Sequence, residues 1–298
     1  AIYGNINSTC RITGFTIQNG IGCVYGQGAG IYVESASPRL DNLIIKNNIS
    51  GTNGGGICLN GNSNSLIDKV LIKNNSADVG GGLYSFNSNP VITNSIIQNN
   101  HANNGAGVFL ELSSPNFENA SITDNNAISS GGGIYCGLTS CPVLNHVTIS
   151  NNSASSGGGI LSIQNSQPMF SNSILWGDAP EEIISDPDSI TIVYSNIQGG
   201  WQGSGNINQD PLFCMIEDGD YALAENSPCL ESGENGVNMG AFGIGCLTIN
   251  FPPSEFSLIS PENNYQLFIE ESNENQSLFF RWETSEDENE DNLIYHFS

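Results

Sequence analysis

A glycine triplet recurs along the chain at Gly28-Ala29-Gly30, Gly54-Gly55-Gly56, Gly80-Gly81-Gly82, Gly105-Ala106-Gly107, Gly131-Gly132-Gly133 and Gly157-Gly158-Gly159, about 26 residues apart each time. An asparagine pair recurs in the same phase, at Asn47-Asn48, Asn74-Asn75, Asn99-Asn100, Asn125-Asn126 and Asn151-Asn152. Two in-phase markers at one period imply stacked structural units, each burying its apolar face against its neighbours. The segments between the markers are short β-branched runs with no helical periodicity, which excludes leucine-rich and helical repeats. One period therefore fits one coil of a β-solenoid.

Each triplet opens a strand of the Gly-Ile-Tyr-Val type. Alternation along it points Ile31, Ile57, Leu83, Val108, Ile134 and Ile160 inward, and Tyr32, Cys58, Tyr84, Phe109, Tyr135 and Leu161 outward. A turn follows near Pro38, Pro90, Pro115, Pro142 and Pro168, and a second run such as Val147-Thr148-Ile149 leads into the asparagine pair and closes the coil. At about 4.8 Å per coil, seven or eight coils make a rod of roughly 35 Å that ends near residue 200. Asn48, Asn75, Asn100, Asn126 and Asn152 are expected to be structural. Stacked amides bond to the coils above and below, and asparagine tolerates the left-handed backbone of a sharp bend. The glycines permit a bend where a β-carbon would strike the next coil. With no helix behind them, they are not a phosphate-binding loop.

These features resemble the right-handed parallel β-helix superfamily, which includes pectate lyases, polymorphic surface proteins and many bacterial secreted proteins. The resemblance covers roughly two thirds of the chain and rests on the repeat. Further on, Tyr194-Ser195-Asn196-Ile197-Gln198-Gly199-Gly200-Trp201, Asp210-Pro211-Leu212-Phe213, Gly219-Asp220-Tyr221-Ala222-Leu223, Ser227-Pro228-Cys229 and Met239-Gly240-Ala241-Phe242-Gly243 resemble the module called choice-of-anchor Q. That module ends a β-helix and precedes surface-attachment signals. The resemblance implies a protein secreted or held at the bacterial cell surface, attached to the envelope through a region beyond Ser298. Cys214, Cys229 and Cys246 lie in this module, whose relatives often have a fourth cysteine near the position of Gly236. From Phe251-Pro252-Pro253 onward, Glu-rich alternating strands including Leu278-Phe279-Phe280-Arg281-Trp282 resemble the start of a fibronectin type III or immunoglobulin-like sandwich. Such a domain needs roughly 100 residues, so this one reads as truncated. The expected fold class is all-β: a right-handed parallel β-helix over 1–200, a small cap or anchor module over 201–248, and a truncated β-sandwich over 249–298. No signal peptide precedes Ala1 and the last residues read as a strand, so both ends read as cut.

The net charge is −24, but residues 1–175 hold 7 acids and 5 bases, and residues 176–298 hold 23 acids with Arg281 as their one base. This acidity excludes a nucleic-acid partner and disfavours polyuronates, while the lack of a long apolar run excludes a membrane span. Eight cysteines without paired C-x-x-C spacing favour disulfides over zinc, with the pairings open. Cys136 and Cys141 flank a short turn and are candidates for a local loop.

Lyases and hydrolases of the superfamily act on an outer sheet face with Arg or Lys and clustered carboxylates. Here Arg11 and Arg39 read as lying in different columns, and Lys46 and Lys73 as stacking before the asparagine pairs. Glu34, Asp41, Asp68, Asp78, Glu111, Glu118 and Asp124 read as scattered among columns. Glu34 and Glu111 match in position but stand three coils apart, roughly 14 Å, too far for a glycosidase pair. His101 and His146 read as isolated, and no catalytic residue is assigned. Tyr32, Tyr84, Phe109 and Tyr135 form an outward strip suited to stacking on sugar rings, with a purely structural aromatic ladder as the alternative. Asp287, Asn289 and Asp291 offer oxygen atoms of the kind Ca²⁺ takes, with a solvated acidic loop as the alternative, and no other cofactor is expected. The composite expectation is a non-enzymatic display, adhesion or carbohydrate-binding module whose partner is a polysaccharide or cell-surface glycan. The rival is a polysaccharide-active lyase or glycoside hydrolase of the pectate-lyase-like superfamily.

Overall fold

The computed structural model describes residues 1–247, apart from 5, 23–26 and 188, together with 258–260 and 281–282. It comprises two compact units, residues 1–248 and 249–298. In the second, Leu258–Ser260 pairs antiparallel with Arg281–Trp282. The rest of the expected sandwich, and with it Asp287, Asn289 and Asp291, lies outside the described residues.

The first unit contains a parallel solenoid. Its first sheet stacks eight strands: Ile2–Tyr3, Ile31–Glu34, Ile57–Asn60, Leu83–Phe86, Val108–Glu111, Ile134–Gly137, Ile160–Ser162 and Ile183–Ser185. In the two large sheets, six of the eight coils have three strands instead of the two expected, while Asn116–Thr123 and Val143–Ser150 each run through the corner as one strand. In those six the second run splits in two at a left-handed residue, as in Arg39–Asp41 and Ile44–Lys46. Asn42, Lys69, Asn94, Asn119, His146 and Asn172 fill that corner with φ between 48° and 55°. A bridge from Asn196 to Ile207 begins one more turn, so the rod has about nine turns, not seven or eight.

Inside, isoleucine and leucine stack at coil spacing. Leu40, Ile67, Ile92, Phe117, Leu144, Phe170 and Ile192 make one column, and Ile45, Ile72, Ile97, Ile122, Ile149, Leu175 and Ile197 another, all buried. Each such side chain withdrawn from water stabilises the fold by about 1.5–3 kcal/mol.

The two residues of the asparagine pair do different work. Asn47, Asn74, Asn99, Asp124 and Asn151 take the left-handed corner, with φ of 54–57°. The next residue points inward, and its amide stacks: Nδ2 of Asn48, Asn75, Asn100 and Asn125 donates to Oδ1 of Asn75, Asn100, Asn125 and Asn152 at 2.9–3.0 Å. Each Nδ2 also donates to a main-chain carbonyl of the preceding coil, as Asn75 does to Ile45. The rung in the fourth coil is Asn125, which corrects the expectation for Asn126. Asp124 takes the corner there, so Asn126 faces solvent and bonds to Ser153.

A buried serine ladder runs in parallel, each main-chain N–H donating to the next coil's hydroxyl from Ser63 to Ser88, Ser113, Ser140 and Ser166. The glycines have the expected cause. Gly80 has φ +68°, and a β-carbon on Gly82 would lie 2.6 Å from the Gly107 carbonyl oxygen.

Residues 213–246 add a three-stranded sheet, Phe213–Met215, Asp220–Ala224 and Ile244–Cys246, closed by a Cys214–Cys246 disulfide. Phe213, Tyr221, Leu223, Cys229 and Met239 pack on Ile174, and Gly240 and Ala241 donate to Asn172 and Thr148. This segment therefore lies on the flank of the rod. The candidate Cys136–Cys141 loop is not closed: Cys136 points into the core in register with Leu110 and Ser162, while Cys141 stays at the surface.

Removing a rung orphans buried donors on one side and an acceptor on the other, at about 1–3 kcal/mol per group. Asn100→Ala should lower unfolding free energy by about 3 kcal/mol in urea titration, and Asn126→Ala by under about 0.5 kcal/mol.

Candidate functional site

The outward column assembles in strict register: Tyr32, Cys58, Tyr84, Phe109, Tyr135 and Leu161 are successive partners across the first sheet. Tyr84 and Phe109 stack at 5.7 Å between centroids, Phe109 and Tyr135 at 4.4 Å, and Tyr3 extends the row with a tilted contact to Tyr32 at 5.8 Å. Val79 and Phe86 pack alongside. Cys58, Tyr84 and Phe109 are thereby buried, whereas Tyr32 and Tyr135 are half-buried. Tyr84 and Tyr135 stack on the two sides of Phe109, and polar groups hold the row from the next column. Asn60 donates to the Tyr32 hydroxyl at 3.3 Å, and the Tyr84 hydroxyl donates to Glu111 at 3.1 Å. Burial and the Glu111 charge raise the Tyr84 pKa, and burial and Glu34 push the Cys58 thiol up to about 12. Neither the Tyr84 hydroxyl nor the Cys58 thiol ionises near neutral pH.

Glu34 and Glu111 do share a column, separated by Asn60 and Phe86. Lys46 and Lys73 are direct partners across adjacent coils. Two other expectations are corrected. Arg11 and Arg39 are partners in one column, and Asp41, Asp68 and Glu118 share the column two residues further along the strand. Coils of unequal length hid both alignments.

The result is a closed ion cluster. Asp41 accepts from Arg11, Thr13, Asn42 and Arg39, and Arg39 reaches Asp68 at 3.2 Å. The Arg11 hydrogen bond, helped by those from Thr13, Asn42 and Arg39, outweighs burial and holds the Asp41 carboxyl well below its ordinary range. Asp68 is also lowered: burial opposes this, but hydrogen bonds from Asn94 and Thr93 and the charges of Lys69 and Arg39 prevail. Acid-assisted glycoside cleavage needs one carboxyl kept protonated beside one ionised. Here both are held ionised. His146 is not isolated as expected. Its Nδ1 lies 3.4 Å from Glu118, without hydrogen-bond geometry.

Titration behaves differently at the far end of the solenoid. Asp178 and Glu182 are both buried and line a cavity of about 400 Å³ with Glu181, Ile183, Ile197, Gln198 and Trp201. The Asp178 pKa is raised by burial and by the neighbouring Glu182, and the Glu182 pKa is raised by burial. The sequence carries one sign of this pair, the loss of the asparagine motif at Gly177-Asp178. Among the described residues, no group of three or more His, Cys, Asp or Glu side chains is placed to hold a metal ion, and no helix is long and apolar enough to cross a membrane.

Parallel strands in coil-to-coil register, an unbroken apolar core and polar ladders through the corners define a β-solenoid. The family model described as right handed beta helix region matches residues 1–175, and the chain belongs to that family. No curated protein and no solved structure matches it.

Because folding depresses the Asp41 pKa, its contribution to stability is full above the unfolded carboxylate value of about 4 and is lost as pH falls below that. Hydrogen-exchange protection of the Arg39 and Ile44 amides should fall between about pH 4 and pH 2. Asp41→Asn should weaken protection at neutral pH and flatten this dependence.

Proposed function

We propose that the chain is a non-enzymatic display rod of a secreted or cell-surface bacterial protein, and that its partner is a glycan. The single observation that carries this reading is the outward aromatic row bordered by Glu34, Asn60 and Glu111. A long, stiff row with half-buried Tyr32 and Tyr135 and adjacent hydrogen-bonding groups suits shallow contact with successive sugar units. On the second sheet, the Arg11–Asp41–Arg39–Asp68 cluster makes closed contacts and supplies rigidity. The segments after residue 200 are read as the connection towards envelope attachment.

The test is binding of the purified chain to an array of neutral and acidic glycans. At least one neutral glycan should bind, and Tyr135→Ala and Tyr32→Ala should each weaken binding by about tenfold or more while leaving the unfolding midpoint within a few degrees. Failure with every glycan would reduce the role to a spacer. Release of unsaturated products or reducing ends from a polysaccharide would overturn the non-enzymatic reading in favour of the lyase or hydrolase alternative.

A further inference from the structure

The amide ladder has to stop, and the way it stops is chemically unusual. After Asn152 the next rung is Asp178, whose Oδ1 accepts from the Asn152 N–H at 2.6 Å and from Asn152 Nδ2 at 2.9 Å. Its Oδ2 lies where Nδ2 lies in the other coils. That oxygen is 2.7 Å from the site of a β-carbon on Gly159, as Nδ2 of Asn152 is 3.1 Å from the site on Gly133 and Nδ2 of Asn125 is 3.0 Å from that on Gly107. The amide nitrogen at this place donates twice, to the next rung and to a carbonyl of the preceding coil. An ionised carboxylate oxygen donates nothing. Asp178 Oδ2 accordingly has no partner among the heavy-atom hydrogen bonds, and neither does Glu182 Oε2.

Glu182 completes the substitution. In the ladder, each rung's N–H donates to Oδ1 of the next rung. The Asp178 N–H donates instead to Glu182 Oε1 at 3.0 Å, from a side chain four residues further along the same coil. Glu182 thus folds back to occupy the position of the absent next rung, and the two carboxyl groups meet side by side.

We propose that Asp178 and Glu182 form a proton-binding site: Asp178 carries the proton on Oδ2 and shares it with Glu182, so that a neutral carboxylic acid imitates the missing asparagine and terminates the ladder. Protonation turns Oδ2 into the donor that this position requires. Two carboxylates in contact without a shared proton would repel, with no counter-charge among the described residues to offset the burial.

The neighbours reinforce this. Glu181, on the same loop, accepts from the Gly157 N–H, and Tyr221, from the flanking sheet, donates to Asp124. Asn152 on the preceding coil and Gln198 and Trp201 across the cavity are uncharged at any relevant pH. Among the described residues, the charged groups that face the pair are acids, and their negative charge favours the bound proton. Both carboxyl groups bind protons more tightly in the folded chain than in the unfolded one. The stability they contribute is full below about pH 4, the unfolded value, and is lost as pH rises through the folded one. This end of the rod is an acid-held latch beside the Trp201 cavity, opposite in sign to the Asp41 cluster.

The test is carboxyl ¹³C NMR of the full chain with hydrogen exchange at the Asn152 and Ile160 amides. The Asp178 carboxyl should remain protonated above the ordinary carboxylate range. Protection of both amides should fall as pH rises beyond that range, by about tenfold per pH unit where the pair ionises. Asp178→Asn restores an amide rung and should keep protection high and flat from pH 5 to pH 8. Glu182→Gln should leave Asp178 as the one titrating group and shift the fall. Asp178 titrating near its ordinary value in the wild-type chain would overturn the proposal, as would a pH slope that persists in Asp178→Asn. The wild-type NMR titration decides the matter even where a variant fails to fold.

Discussion

Every coil of this protein must satisfy its buried polar groups through the coil above and the coil below, and that constraint governs the rest of the structure. An apolar stack alone leaves coils free to rotate or slip, because one isoleucine packs on another in many registers. The buried asparagine amides remove that freedom. An amide that donates to the next Oδ1 and to a carbonyl behind it has a single satisfactory height and orientation, and a slip orphans both bonds. The corner residue before it, held in left-handed backbone, turns the chain so that the amide faces inward. Glycine at the start of the first strand then lets the neighbouring carbonyl approach where a β-carbon would collide. The aromatic row outside and the serine ladder inside inherit a register that this corner imposes.

A polar ladder also makes its ends chemically special. At the first turns, Arg11 and Arg39 close over Asp41 and keep it ionised. At the last, an aspartic acid takes an asparagine's place and a glutamic acid folds back as the next acceptor. The same residue type is thus pulled in opposite directions at the two ends, by counter-charges in one case and by burial beside another acid in the other. Between them, the described buried residues include no charged side chain.

Much of the solenoid was legible in the sequence because its markers report backbone geometry that few residue types satisfy. Glycine triplets and asparagine pairs announce corners, and the inward and outward columns of the first sheet follow from them by alternation. The errors arose where a second residue type met the same requirement. Asp124 takes a corner elsewhere occupied by asparagine, so the pair Asn125-Asn126 lies one residue out of frame with the others. Lys69 and His146 take the corner that Asn42 and Asn94 occupy, which concealed that corner. Serine is too common for Ser63, Ser88, Ser113, Ser140 and Ser166 to stand out as a ladder. Coils of unequal length concealed the pairing of Arg11 with Arg39. The Asp178–Glu182 pair leaves a single sign in the sequence, the lost asparagine motif at Gly177-Asp178, because it is defined by what it replaces.

The most direct measurement of the central claim, that one buried amide per coil sets the register, is side-chain amide exchange by ¹⁵N NMR. The Nδ2 protons of Asn48, Asn75, Asn100, Asn125 and Asn152 should exchange orders of magnitude more slowly than those of Asn47, Asn74, Asn99, Asn126 and Asn151, despite direct sequence adjacency. Equal, fast exchange across all ten, or protection of Asn126 in place of Asn125, would contradict it.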